Sequence, residues 1–303
     1  MADPIITTAG LNMSFGTVQA LQDVDLQVPA GRIGLVGANG AGKSTLIKIL
    51  LGMLQPTGGT TEVYGTSAQQ HPLAVRSRVG YMPEGDCFPP DQTAADFVSY
   101  TAELGGLPAS ESRQRASEVL TLVGLAEERF RNFGEFSTGM KQRAKLAQAI
   151  VHSPELVLLD EPASGLDPDG REDMLNLINR LGEFGMSVVF SSHVLGDIER
   201  TCDWVVMLNE GRLLRNEPLA AIRASNAVQV VLLDDPGPAV KALRSRGARV
   251  AVANRTLDIE LESGDPFLVI RDVLAETGLG LRSMGSKETT LEDVYLAEEE
   301  FTR

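Results

Sequence analysis

The stretch Ile33-Gly34-Leu35-Val36-Gly37-Ala38-Asn39-Gly40-Ala41-Gly42-Lys43-Ser44-Thr45 reads as a strand, a glycine-rich loop and the opening of a helix. From Gly37 onward it satisfies the pattern G-x-x-x-x-G-K-[ST]. The apolar run Ile33 to Val36 before it and a helical segment from Lys43 to about Leu54 after it supply the setting that pattern requires. Glycines at 37, 40 and 42 let the backbone fold tightly and turn its amides inward. With Ala38, Asn39, Ala41 and the positive end of the helix they form a nest for phosphate. Lys43 is placed to reach the β- and γ-phosphates of a nucleotide, Ser44 to give a hydroxyl to Mg2+, and Thr45 to continue the cradle. The pattern alone does not separate GTPases, kinases and ATPases.

Outward from the cradle, short apolar runs alternate with amphipathic segments. A strand-rich region covers Ile5 to Val36, and further strands are expected at Thr61 to Tyr64, Val79 to Met82, Leu156 to Leu159, Ser187 to Phe190 and Val205 to Leu208. The interval Thr93 to Val151 carries helical spacing, and helices are expected at Gly170 to Leu181 and Val194 to Thr201. This alternation predicts an α/β fold with a mostly parallel sheet covered on both faces. From Ala227 the order becomes strand (Val228 to Leu233), helix (Ala239 to Arg246), strand (Ala248 to Val252), strand (Leu257 to Leu261), helix (Phe267 to Glu276) and strand (Leu281 to Met284). That is the β-α-β-β-α-β order of a ferredoxin-like unit, followed by an acidic helix expected over Leu291 to Glu300. The expected domains are 5–220, with a helical part at about 93–151, and a smaller α+β module at 227–303.

The bulk properties narrow the function. The 303 residues are 43% hydrophobic and 22% charged, enough for a core that needs no disulfide or metal to hold it. Asp and Glu outnumber Lys and Arg 41 to 27, a net charge of −14. A surface of that sign repels nucleic-acid phosphate and anionic lipid headgroups, so no nucleic-acid partner is expected. Two distant cysteines, Cys87 and Cys202, fit a reduced cytoplasmic setting. The start MADPIITTAG lacks the features of a signal peptide, and no run approaches the ~20 apolar residues of a membrane span. Direct membrane insertion is therefore not expected.

Three further motifs carry chemistry. Leu156 to Leu159 is an apolar strand ending in Asp160-Glu161. Two adjacent carboxylates there are either a solvated strand end or a working pair, and the upstream cradle favours the latter. Asp160 then holds Mg2+, directly or through water, and Glu161 takes the proton of an attacking water. Phe136-Ser137-Thr138-Gly139-Met140-Lys141-Gln142-Arg143 opens a helix. Ser137 is either a plain N-cap or, with the Gly139 amide, a second phosphate site at a helix N-terminus. Ser164-Gly165-Leu166-Asp167-Pro168 has the form of an Asp N-cap with Pro in the first turn, and Ser191-Ser192-His193 follows an expected strand.

The succession of cradle, STGMKQR, VLLDEP, SGLDP and SSH resembles the ATPase of ABC transporters over roughly Ile5 to Leu219. The resemblance implies that Phe15 stacks on adenine with Val18 beside it, that Ser137 and Gly139 hold the γ-phosphate, and that Asp167 communicates between two nucleotide sites. It also makes His193 the switch histidine, which contacts the γ-phosphate. Phe136, Thr138 and Met140 depart from the usual signature, and Glu84, in Val79-Gly80-Tyr81-Met82-Pro83-Glu84, stands where the family has Gln. A carboxylate there is expected to bind Mg2+ or its water more strongly. The implied partners are a second ATPase subunit, closing head-to-tail around ATP as a homodimer or as a pair of different ATPase subunits, and an integral membrane permease. The segment from Pro83 to Glu135 is the docking surface by resemblance, at the cytoplasmic face of the membrane. The tail Thr290 to Leu296 is similar to that of ABC-2-type exporter ATPases, which points to export. An ABC-like ATPase acting on the ribosome or DNA is the alternative. Against it stand the single cradle, the absence of a long coiled-coil insertion and the acidic balance. A GTPase is disfavoured because no N-K-x-D motif occurs.

Overall fold

Alternating burial of Ile6 and Thr8 and, past a register shift, of Leu11 and Met13 makes β1 (Ile6–Phe15) a half-buried strand. It pairs antiparallel with β2 (Val18–Val28), which buries Leu21, Val24, Leu26 and Val28. Next come β3 (Arg32–Val36), α1 (Lys43–Leu50), β4 (Gly58–Val63), β5 (Thr66–Ser67), α2 (Pro72–Arg76) and β6 (Val79–Met82). The computed structural model describes residues 3–223, 227–261, 265–287 and 290–295. Within it the chain divides into two compact units, Met1–Leu219 and Ala220–Arg303. In the first unit, β2, β1, β4 and β5 form an antiparallel sheet in that order.

The helical part follows as α3 (Ala94–Leu104), α4 (Ala109–Leu122) and α5 (Thr138–Ile150), with two short 3-10 turns between α4 and α5. Phe88, Phe97, Phe133 and Phe136 pack together there, the Phe88 and Phe133 rings stacked at 3.9 Å. The chain then runs through β7 (Leu156–Leu159), α6 (Pro168–Glu183), β8 (Ser187–Ser192), α7 (Leu195–Thr201), β9 (Trp204–Asn209), β10 (Arg212–Pro218) and α8 (Leu219–Arg223). The main sheet has the order β10-β9-β3-β8-β7-β6. Its members from β9 to β6 are mutually parallel, and β10 returns antiparallel along β9. Every residue of β7 and β8 is buried, as in a parallel sheet covered on both sides.

The short elements β5, α2 and α8 are additions to the sequence expectation, and two larger features differ from it. Helix α1 ends at Leu50, not near Leu54: Gly52 takes a left-handed turn and the Met53 and Leu54 amides bond back to the Lys48 carbonyl. Strand β10 was not foreseen, because its residues are half-exposed and show no period-two alternation.

In the second unit, β11 (Val228–Leu232), α9 (Gly237–Ser245), β12 (Arg249–Ala253), β13 (Thr256–Glu260), α10 (Pro266–Thr277) and β14 (Leu281–Ser286) follow in turn. The sheet order β12-β13-β11-β14, antiparallel throughout, is that of a split β-α-β unit. Val228, Val230, Leu243, Leu257, Ile259 and Val273 fill its separate core. Of the acidic helix expected over Leu291 to Glu300, residues 291–295 are helical and the rest lies outside the described residues.

Candidate functional site

Strands β3, β8 and β7 are neighbours and point the same way, so the loops leaving their carboxyl ends meet at one edge of the sheet. Those loops carry the cradle, His193 and the Asp160-Glu161 pair. Gly42 begins α1 with φ of +103° and no side chain caps the helix, so its first amides remain available to an anion. A Cβ at Gly42 would lie 2.6 Å from the Ala20 carbonyl oxygen. Lys43 is buried; its Nζ donates to the carbonyls of Gly37 at 2.6 Å and Ala38 at 3.2 Å.

A cleft of about 360 Å3 runs along Val18, the cradle from Ala38 through Thr45, Glu84 and Glu161. It therefore joins Ala38, Asn39, Gly40, Ala41, Gly42, Lys43, Ser44 and Thr45 to one acidic residue from the loop after β6 and one from the loop after β7. Phe15 is paired with Val18 at the end of the β1–β2 hairpin and is 48% exposed, but it does not itself line the cleft.

Glu161 is the most constrained residue of the site. Its φ of +50° is unusual for a side chain of this size, and strain of that kind clusters at functional centres. Its amide donates to Ser191 Oγ at 2.8 Å, and the same hydroxyl donates to Asp160 Oδ1 at 2.9 Å. Glu161 Oε2 lies 2.9 Å from His193 Nδ1. Oε1 is buried, accepts no hydrogen bond, and lies 3.7 Å from Lys43 Nζ. The structure thus brings Lys43, His193 and Ser191 together around Glu161, with Asp160 held by the same Ser191 hydroxyl. That serine was missed at the sequence level, since its role depends on β7 and β8 being neighbours. Tyr81 on β6 feels the same carboxylates: burial first, then Asp160 and Glu84, push its hydroxyl up to about 12.

Ser137, Gly139 and Asp167 do not line this cleft. Ser137 Oγ accepts the Met140 amide at the start of α5, and Asp167 Oδ1 accepts the Gly170 amide at the start of α6. The two helix starts adjoin each other: Gln142 Nε2 donates to the Ser164 carbonyl, and Gly139 faces Leu166.

A model of the ABC transporter family matches residues 21–164. The bacitracin transport ATP-binding protein BcrA of Enterococcus faecalis is 33% identical over 296 residues, covering 96% of this chain and 95% of that protein. The daunorubicin/doxorubicin resistance ATP-binding protein DrrA of Streptomyces peucetius is 30% identical, covering 96% and 91%. The dimeric structure of MJ0796, a bacterial ABC transporter cassette, matches with a TM-score of 0.65 at 26% identity, covering 71% of this chain and 98% of that one. This chain belongs to the ABC transporter ATP-binding family.

As a member of that family it binds ATP and hydrolyses it, and the hydrolysis energises transport. Among the described residues no helix is long and apolar enough to cross a membrane. The donor set also bears on Mg2+. Among the described residues no cluster of three or more His, Cys, Asp or Glu side chains is arranged to hold a metal. The cleft instead offers single oxygens, from Ser44 and Glu84, with the buried Asp160 carboxylate held beside Glu161 by Ser191. Such a set suits Mg2+, which takes one or two carboxylates and completes its shell with phosphate oxygens and water.

Proposed function

We propose that this chain is the motor subunit of an ABC-2-type exporter, hydrolysing MgATP between two of its own copies and driving a separate integral membrane permease from the cytoplasmic face. The single observation that carries the hydrolytic reading is Glu161, held in a left-handed backbone with one oxygen fixed by His193 and the other without a hydrogen bond.

In this reading the amides of Gly37 to Thr45 and Lys43 Nζ grip the phosphates, and Phe15 with Val18 packs on adenine. Mg2+, when bound with the nucleotide through Ser44, Asp160 and Glu84, supplies positive charge at the β- and γ-phosphate oxygens. Glu161 Oε1 accepts a proton from the water that attacks the γ-phosphorus, a general-base step. His193 keeps the carboxylate turned toward that water and reaches the γ-phosphate. Ser137 and Gly139, which lie away from the cleft of their own chain, hold the γ-phosphate of a partner copy, and Asp167 faces the partner across the same interface. The cassette described as dimeric supports this arrangement, and the resistance named for DrrA supports outward transport. Domain 5–220 then contains the motor, with 93–151 as its helical part, the segment from Pro83 to Glu135 as its permease-facing surface and 227–303 as an accessory module.

The test is the Glu161→Gln variant. With the base removed and the charge neutralised, hydrolysis falls by about 10²-fold or more. Nucleotide binding persists, and the protein runs as a dimer in MgATP by light scattering and as a monomer without it. A Glu161→Gln protein that stays monomeric in saturating MgATP overturns the paired-copy reading.

A further inference from the structure

Lys145, on α5 two turns beyond Ser137, is only 3% exposed and forms no ion pair among the described residues. Its Nζ donates to three successive backbone carbonyls, Pro83 at 3.0 Å, Glu84 at 2.8 Å and Gly85 at 3.3 Å. An ammonium has three protons and no acceptor, so three carbonyls saturate it. Burial lowers its pKa, with Cys87, Asp86, Glu84 and Asp160 acting in the opposite direction. One turn earlier on the same helix face, Lys141 Nζ meets Asp86 Oδ2 at 2.7 Å. Further along, Cys87 Sγ donates to Gln148 Oε1 at 3.6 Å, so the loop leaving β6 is fastened to α5 at three points, of which only the Lys145 contact is buried. Glu84, the middle one of the three residues held by Lys145, lines the nucleotide cleft.

We infer that Lys145 is the positioning residue for Glu84: its ammonium pins the backbone of Pro83–Gly85 and so presents the Glu84 carboxylate to the metal-bearing end of the nucleotide. The inference rests on the reading of Glu84 as a metal-side residue. Two physical consequences follow. The cradle from Gly37 to Thr45 makes no bond to Lys145, so the grip on the nucleotide does not depend on it. The loop does depend on it, because without the ammonium three inward carbonyls lose their shared donor, and a loop that swings outward to water carries Glu84 with it. Because Lys145 is on the helix that Ser137 begins, the same contact also ties the signature to the loop beside the chain's own γ-phosphate position.

The experiment compares the full-length chain with Glu84→Ala, Lys145→Met and the double variant, measuring kcat, the KM for ATP and the Mg2+ concentration giving half-maximal hydrolysis. Each single variant is expected to lower kcat about tenfold and to raise the half-maximal Mg2+ about fivefold, with affinity for a fluorescent ATP analogue within about twofold of the parent. Added to Glu84→Ala, Lys145→Met costs less than about twofold more, because both act through one carboxylate. A Glu84→Ala chain with unchanged Mg2+ dependence removes the metal-side reading of Glu84, and this inference with it. A shift in Glu84→Ala but none in Lys145→Met, or single losses that multiply in the double variant, overturns the Lys145 inference alone. If Lys145→Met does not fold by thermal melting, Lys145→Gln, which keeps two donors, is read by the same criteria. Failure of both to fold makes Lys145 a structural residue and also overturns the inference.

Discussion

The Ser191 hydroxyl accepts from the Glu161 amide and donates to Asp160 while fully buried, so it ties the Glu161 backbone to the Asp160 carboxylate. Replacing it with alanine leaves a buried amide and a buried carboxylate oxygen each short of a partner. That costs about 1–3 kcal/mol of stability, enough to lower the melting temperature measurably. It also frees Glu161 to relax from its left-handed backbone. We expect Ser191→Ala to bind nucleotide nearly as the parent does and to hydrolyse it about tenfold more slowly, the signature of an interaction that matters in the transition state. A variant that loses nucleotide binding and hydrolysis in parallel would show instead that Ser191 supports the cradle. The contrast with Lys43 and Glu161 explains what could be read in advance. Phosphate binding and proton abstraction demand particular residue types at fixed spacing, so those positions stand out in the chain. A buried serine bridging two loops has a common residue type, and only the pairing of β7 with β8 gives it meaning.

Helices α6 and α7 begin just after Asp167 and His193, and two ion pairs join them, an exposed one between Arg200 and Glu172 and a more buried one between Arg171 and Asp197. Arg171 Nε and Nη2 grip the buried Asp197 carboxylate at 2.6 to 2.9 Å. Removing the cation leaves an unpaired buried charge, the costly half of breaking such a pair. Arg171 is itself about a third exposed, so we place the loss for Arg171→Met at roughly 1–3 kcal/mol, below the figure for a fully buried pair. Because the pair holds the helix behind His193, hydrolysis should fall more than nucleotide affinity. Thermal melting and ATPase assays on the same preparation check both parts, and Arg171→Lys should recover only part of the loss because it lacks the two-pronged geometry. At this level the sequence was readable where burial is one-sided or complete. The apolar runs of β3, β7, β8 and β9 and the alternation of β1 announce themselves. Strand β10 does not, since Arg212 to Pro218 mixes charge with half-buried side chains and is held by pairing to β9. The end of α1 is hidden in the sequence because Met53 and Leu54 continue the apolar pattern past Gly52, the glycine that stops the helix.

The two compact units have separate cores, one around β3, α1 and the β1–β2–β4 sheet, the other around β11, β13, α9 and α10. Separate cores lead us to expect two unfolding transitions in calorimetry, since two-state behaviour belongs to single domains. Every residue of the nucleotide cleft lies in Met1–Leu219. Ligand that binds only the folded form of one unit raises the transition of that unit. With Glu161→Gln protein, so that ATP is not consumed, MgATP at a hundred times its Kd adds about 2.7 kcal/mol. For a unit of this size that is an upward shift of roughly 5–11 °C. The transition of the unit from Ala220 onward should stay in place. Were both to move together, or only one transition appear, the module at 227–303 would be thermodynamically coupled to the motor. Its removal should then lower the stability of the nucleotide-binding unit as well, which a melt of a chain ending at Leu219 would show directly.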